Sequence, residues 1–139
     1  MTTSDSPSTL PRPTASQLTW QRDRQLAIFC HFGVNTFNGL EWSDGSLPAS
    51  SFAPTALDCG QWVRTAQEAG ASHIILTAKH HDGFCLWPTA TTDYSVVSSP
   101  WKDGKGDVVG DLAEACREAG IGLGIYLSPW DRHEASWEH

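Results

Sequence analysis

Residues 66–77 read AQEAGASHIILT, and residues 116–127 read CREAGIGLGIYL. Aligning Gly70 with Gly120 sets the two stretches 50 residues apart, and both run through Ala-Gly into a short, mainly apolar segment. Ahead of each glycine, apolar residues recur at helical spacing: Trp62, Val63, Ala66 and Ala69, then Val108, Leu112, Ala115 and Ala119. Each copy therefore predicts an amphipathic helix closed by a glycine at its C-terminal cap. Beyond the glycines, 73–78 and 122–127 predict strands, and 26–32 (LAIFCHF) predicts an earlier one. Strand, loop, helix, strand, loop, helix, strand is the order of a parallel sheet with right-handed crossovers. The fold class is α/β, with about three parallel strands and intervening helices.

The connections are unequal. Those that follow strands are long and polar, 33–58 and 81–106, whereas those that follow helices are a few residues. In (β/α) barrels and in open α/β sheets, ligands bind over the carboxyl ends of the strands, where long loops gather. No strand is followed by a G-x-G-x-x-G turn opening a helix, which disfavours a dinucleotide-binding fold. At the carboxyl ends lie His31, with Glu41 and Trp42 in its loop; then His80, His81 and Asp82; then Tyr126, Trp130, Asp131 and His133. The opposite ends carry mostly Ala, Gly and Ser, the material of tight turns.

Nine Lys and Arg stand against 16 Asp and Glu, a formal charge of -7 with no basic run to offset it locally. Neither nucleic acid nor an anionic membrane is an expected partner. Residues 1–16, MTTSDSPSTLPRPTAS, lack both a basic start and an apolar centre and read as a disordered leader rather than a secretory signal, so a cytoplasmic setting is expected. Cys30, Cys59, Cys85 and Cys116 have no paired spacing and fall in apolar surroundings, as reduced, mostly buried thiols do. There are 7 Trp. Trp62 belongs to a helical pattern and so to the core, whereas Trp42, Trp87 and Trp130 sit in polar loops. An indole there either packs beneath its loop or offers a flat apolar face with one donor to a sugar ring.

Residues 79–87, KHHDGFCLW, concentrate the chemistry. Neighbours on an ideal strand face opposite sides, so His80 and His81 share one pocket only where the chain bends, as Asp82-Gly83 allows. They read as metal ligands with Asp82, as structural histidines, or as pocket lining that offers one donor and one acceptor each to an uncharged ligand. Neither H-x-x-x-H nor a cysteine pair is present to favour zinc. Lys79 either lowers the histidine pKa values or pairs with Asp82 or Asp107. Glu41 is a candidate carboxylate, and Asp131 and Glu134 are candidates by position, but no second carboxylate is marked for glycoside cleavage. Asp107 and Asp58 read as helix caps.

HFGVNTF (31–37) followed by EW (41–42), then KHHDGFCLW (79–87), then GIGLGIYLSPWD (120–131) resemble the amino-terminal part of the α-L-fucosidases of glycoside hydrolase family 29, plant-type α-1,3/1,4 branch. The similarity extends from about residue 20 to the end. It implies a (β/α)8 catalytic barrel, a retaining mechanism on terminal L-fucose, no metal and no cofactor. It also implies that His31, Glu41, Trp42, His80, His81 and Tyr126 line the fucose pocket, with Trp87, Trp130 and Asp131 as additional candidates. In the family the nucleophilic Asp follows a later strand and the acid/base Glu comes later still. A barrel of about 250 residues is thus expected to be represented here by residues 17–139 alone, as a truncated product, a fragment or one part of a split enzyme. No catalytic residue is expected within it, and hydrolysis by this chain alone is not expected. The expected partners are a fucosylated glycan and a missing C-terminal half of the barrel. The alternatives are a non-catalytic fucose-binding fragment or pseudoenzyme, and a metal-dependent hydrolase using His80, His81 and Asp82.

Overall fold

The computed structural model describes residues 12–24 and 26–138. Helix α1 (Ala15–Asp23) leads to strand β1 (Ala27–Cys30); α2 (Cys59–Glu68) leads to β2 (His73–Lys79), and α3 (Val108–Ala119) to β3 (Gly122–Leu127). The strands form one parallel sheet in the order β1-β2-β3, with Phe29 in register with Ile75 and Ile75 with Gly124. The α/β alternation read from the repeat is the architecture.

Local signals account for the helices. Asp58 accepts a hydrogen bond from the Gln61 amide at 2.9 Å and Asp107 one from Gly110 at 2.8 Å, each carboxylate satisfying an otherwise orphaned donor of the first turn. Helix α3 stops at Gly120, whose φ of 69° is the left-handed conformation that an L side chain disfavours. The apolar stripes are Cys59, Val63 and Ala66 on α2 and Val108, Leu112 and Cys116 on α3. Both stripes join the core that holds Ile74 and Leu76 of β2. Trp62 packs at the edge of that core, its ring 5.2 Å from Phe32.

The long loops are not excursions into solvent. Val34 and Phe52 from the first, and Phe84, Leu86, Val96 and Trp101 from the second, are core residues. Burial of this apolar surface is what holds the loops in one conformation over the strand ends. All four cysteines are free, three of them buried and Cys30 half-buried. Burial raises Cys59 and Cys85 to about 11, so both remain protonated thiols at neutral pH.

Two boundaries differ from the sequence reading. The expected leader lies outside the described residues over 1–11, but α1 starts inside its last two residues, with Thr14 and Gln17 forming a reciprocal capping box. The first strand is four residues rather than the expected 26–32. Past Cys30 the Thr77 hydroxyl takes over the pairing: it accepts from the Phe32 amide at 3.2 Å and faces the carbonyls of Cys30 and Phe32 at 3.2 and 3.3 Å. A side chain thereby replaces the backbone ladder where β1 turns into its loop.

Candidate functional site

One sheet face packs against α2 and α3; the other carries the rings. Phe29 and His31 lie two residues apart, hence on the same face, and stack with centroids 4.9 Å apart. Tyr126 reaches the same face from β3, 5.8 Å from Phe29. From β2, His80 meets His31 edge-on at 5.4 Å and lies 6.1 Å from Tyr126. His81 follows at 4.3 Å from His80, with Trp42 at 5.4 Å and Trp130 at 5.0 Å. Three strands separated in sequence thus bring His31, His80, His81, Tyr126, Trp42 and Trp130 into one aromatic cluster.

Consecutive histidines can share the cluster because β2 is irregular at its end. The register against β3 shifts between Thr77 and Lys79, and the Gly83 amide donates to the His80 carbonyl at 3.0 Å in a turn with Gly83 at φ 88°. That bend cancels the strict alternation of strand side chains.

The hydrogen bonding separates the three imidazoles. No ring nitrogen of His31 or His80 has a partner among the described residues, so each keeps a donor and an acceptor for a ligand. His81 is tied down: its Nδ1 lies 2.7 Å from the Ser128 hydroxyl, which donates to the Trp130 carbonyl, also at 2.7 Å. Burial and the neighbouring His81 lower the pKa of His80 below its ordinary 6.5, with Asp82 opposing, His31 reinforcing, and Glu41 opposing. His80 is a neutral ring at neutral pH.

Beside the cluster opens a cleft of about 260 Å³ lined by His31, Phe32, Asn35, Glu41, Thr77, His80 and Asp82, among others. Asp82 is 3% exposed. Its two oxygens are occupied by Asn35 Nδ2 at 2.8 Å and the Phe84 amide at 2.7 Å. That leaves Glu41 as the exposed carboxylate of the cleft. Among the described residues, no three His, Cys, Asp or Glu side chains are placed to hold a metal ion. Asp82, the carboxylate that the metal reading sets beside His80 and His81, accepts from Asn35 and from the Phe84 amide and so holds the turn.

Lys79 pairs with neither Asp82 nor Asp107. Asp107 caps α3, Asp82 turns to Asn35, and Lys79 reaches Asp131 at 2.8 Å, both side chains being largely buried. Burial alone would raise Asp131, but the Lys79 hydrogen bond and charge, with the Glu134 and His133 amides, outweigh it and hold the carboxyl below its usual range. Asp131 therefore serves as a strut. It lines a second cleft of about 270 Å³ together with Trp87, Thr92, Leu127 and His133. Of the additional candidates, the structure brings Trp130 into the histidine cluster and sets Trp87 and Asp131 in this other recess.

His133 ties the rim together. Its Nδ1 donates to the Gly45 carbonyl at 2.8 Å, and its ring stacks on Tyr94 at 4.1 Å and 16°. A Cβ on Gly45 would meet the His133 amide nitrogen at 2.6 Å, and one on Gly83 would meet Asp131 Oδ1 at 2.3 Å. The loops after all three strands touch at positions only glycine can fill. Ser128, Asn35 and His133's anchoring role were not marked by any sequence pattern; the polar residue directly after a strand was the one available signal for Ser128.

The family model described as alpha-L-fucosidase matches residues 38–139. An alpha-L-fucosidase 1 of Arabidopsis thaliana is 60% identical over 125 residues, which are 90% of this chain and 24% of that protein. The chain thus spans about a quarter of the length of that curated relative. Among solved structures, a glycoside hydrolase 29 family member from a rumen bacterium superposes with a TM-score of 0.84 at 53% identity, over 89% of this chain and 22% of that one. A Ruminococcus gnavus GH29 fucosidase in complex with fucose superposes with a TM-score of 0.79 at 40% identity, over 90% of this chain and 26% of that one.

Proposed function

The chain belongs to the alpha-L-fucosidase family, and from that premise we propose that it forms the fucose-binding part of a retaining α-L-fucosidase acting on terminal α-L-fucosyl groups. The observation that carries the reading is the meeting of His31, His80 and Tyr126 on one sheet face, with the imidazole nitrogens of His31 and His80 unpartnered among the described residues. A deoxyhexose presents hydroxyls that both donate and accept, and a neutral imidazole does the same. Trp42, half-exposed beside His81, supplies a flat face against which the apolar side of a sugar can pack. Glu41 accepts from a further hydroxyl at the cleft.

Retaining cleavage requires two carboxylates about 5–5.5 Å apart, one attacking the anomeric carbon and one protonating the leaving oxygen. Among the described carboxylates near the site, Asp82 is bonded to Asn35 and Phe84, and Asp131 to Lys79. Of the two carboxylates that line the cleft among the described residues, Glu41 is the exposed one and Asp82 the bonded one, which supports binding without turnover by these residues and the supply of nucleophile and acid/base by other units of a (β/α)8 barrel. Calorimetric titration of the 139-residue chain with L-fucose, alongside an assay on an aryl α-L-fucoside, tests this. The expected result is saturable heat without hydrolysis. Absence of binding overturns the reading, and hydrolysis abolished by Glu41→Gln overturns the assignment of the carboxylates.

A further inference from the structure

We propose that Ser128 is a positioning residue that fixes the tautomer of His81, so that His81 can only accept a hydrogen bond from a neutral ligand while His80 and His31 remain free to do either. Ser128 directly follows β3, is 2% exposed, and is anchored by its amide to the Lys79 carbonyl at 2.9 Å. Its hydroxyl has two neighbours at 2.7 Å, the Trp130 carbonyl and His81 Nδ1. A hydroxyl carries one proton, and a carbonyl oxygen can only accept. The proton therefore lies toward Trp130, and Nδ1 must carry its own hydrogen and donate to Ser128. In a neutral imidazole this leaves Nε2 as a bare acceptor, and no described residue bonds it.

The ring cannot escape by turning over. His80 lies against it at 4.3 Å, and the indoles of Trp42 and Trp130 flank it at 5.4 and 5.0 Å. A flip would place a C–H against Ser128 and strand that hydroxyl's lone pairs in a buried position. Three imidazoles in one cluster thus divide into one with a set polarity and two whose polarity adapts. With the proposed function, on which the ligand's identity rests, the sugar hydroxyl over His81 must be a donor, and a sugar lacking that hydroxyl leaves Nε2 unpartnered.

Two-dimensional 15N–1H spectra of the histidine-labelled chain at neutral pH read the tautomer directly. His81 is expected to show a protonated Nδ1 and an unprotonated Nε2. Ser128→Ala is expected to shift the ring toward the Nε2–H form and to weaken L-fucose about tenfold, the loss of one net hydrogen bond. Ser128→Thr, which keeps the hydroxyl, is expected to restore both. An Nε2–H ring in the unsubstituted protein, a measurement that needs no variant, overturns the proposal, as does an unchanged tautomer or unchanged affinity in folded Ser128→Ala. An Nδ1–H ring in a protein that binds no fucose supports the tautomer assignment while overturning the function proposed above.

Discussion

At the scale of single residues, burial decides which groups can change charge. His80 is held below 6.5 chiefly because its charged form loses hydration, aided by His81. A group with a depressed folded pKa binds fewer protons folded than unfolded, so its cost is absent above the unfolded value and grows as pH falls through the folded one. The His80 contribution is accordingly expected to be absent above pH 6.5 and to lower folding stability below it, a component that His80→Gln removes, measured by urea unfolding across pH. Asn35 makes a different prediction. Asn35→Ala deletes the donor to Asp82 Oδ2 and leaves a buried carboxylate oxygen without a protein partner, at a cost of about 1–3 kcal/mol measured as a lower urea midpoint. The convergence of His31, His80 and Tyr126 was legible in the sequence because strand ends and long loops are local patterns. The partners of Lys79 and His81 were not. Asp131 and Ser128 lie 52 and 47 residues away, and which of several polar groups arrives depends on how the loop after β3 folds back.

Elements follow the same division. The repeat made α2, α3, β2 and β3 readable, since helical spacing, an Asp cap and a closing glycine are each settled within a few residues. The end of β1 was not readable, because a Thr77 side chain from the neighbouring strand replaces its backbone pairing. Turns add a test of what glycine contributes. Gly83→Ala forces a Cβ to within 2.3 Å of Asp131 Oδ1 at a φ of 88°, so it should displace the carboxylate from Lys79 and cost about 1–3 kcal/mol. Gly39→Ala, at φ 63° with nothing within 4 Å, meets only the backbone penalty and should cost about 1 kcal/mol, as parallel denaturant titrations would read.

At the scale of the molecule, β1 and β3 each pair on one side only within the described sheet. Leu26, Phe29, Ile125 and Leu127 are each about half exposed along those edges. Unpaired strands flanked by apolar side chains are templates for further pairing. Sedimentation velocity over a dilution series is expected to show reversible self-association of the chain that Ile125→Lys weakens; a single monomeric species at every concentration contradicts it. The rim behaves in the opposite sense. His133 clasps the Gly45 carbonyl and the Tyr94 ring while Asp131 fits against Gly83, so no one segment can peel away without releasing the others. Amide protons at 43–46, 81–85 and 131–134 should then exchange with deuterium through one shared opening event, and the recess lined by Trp87, Asp131 and His133 should open and close as one piece with them.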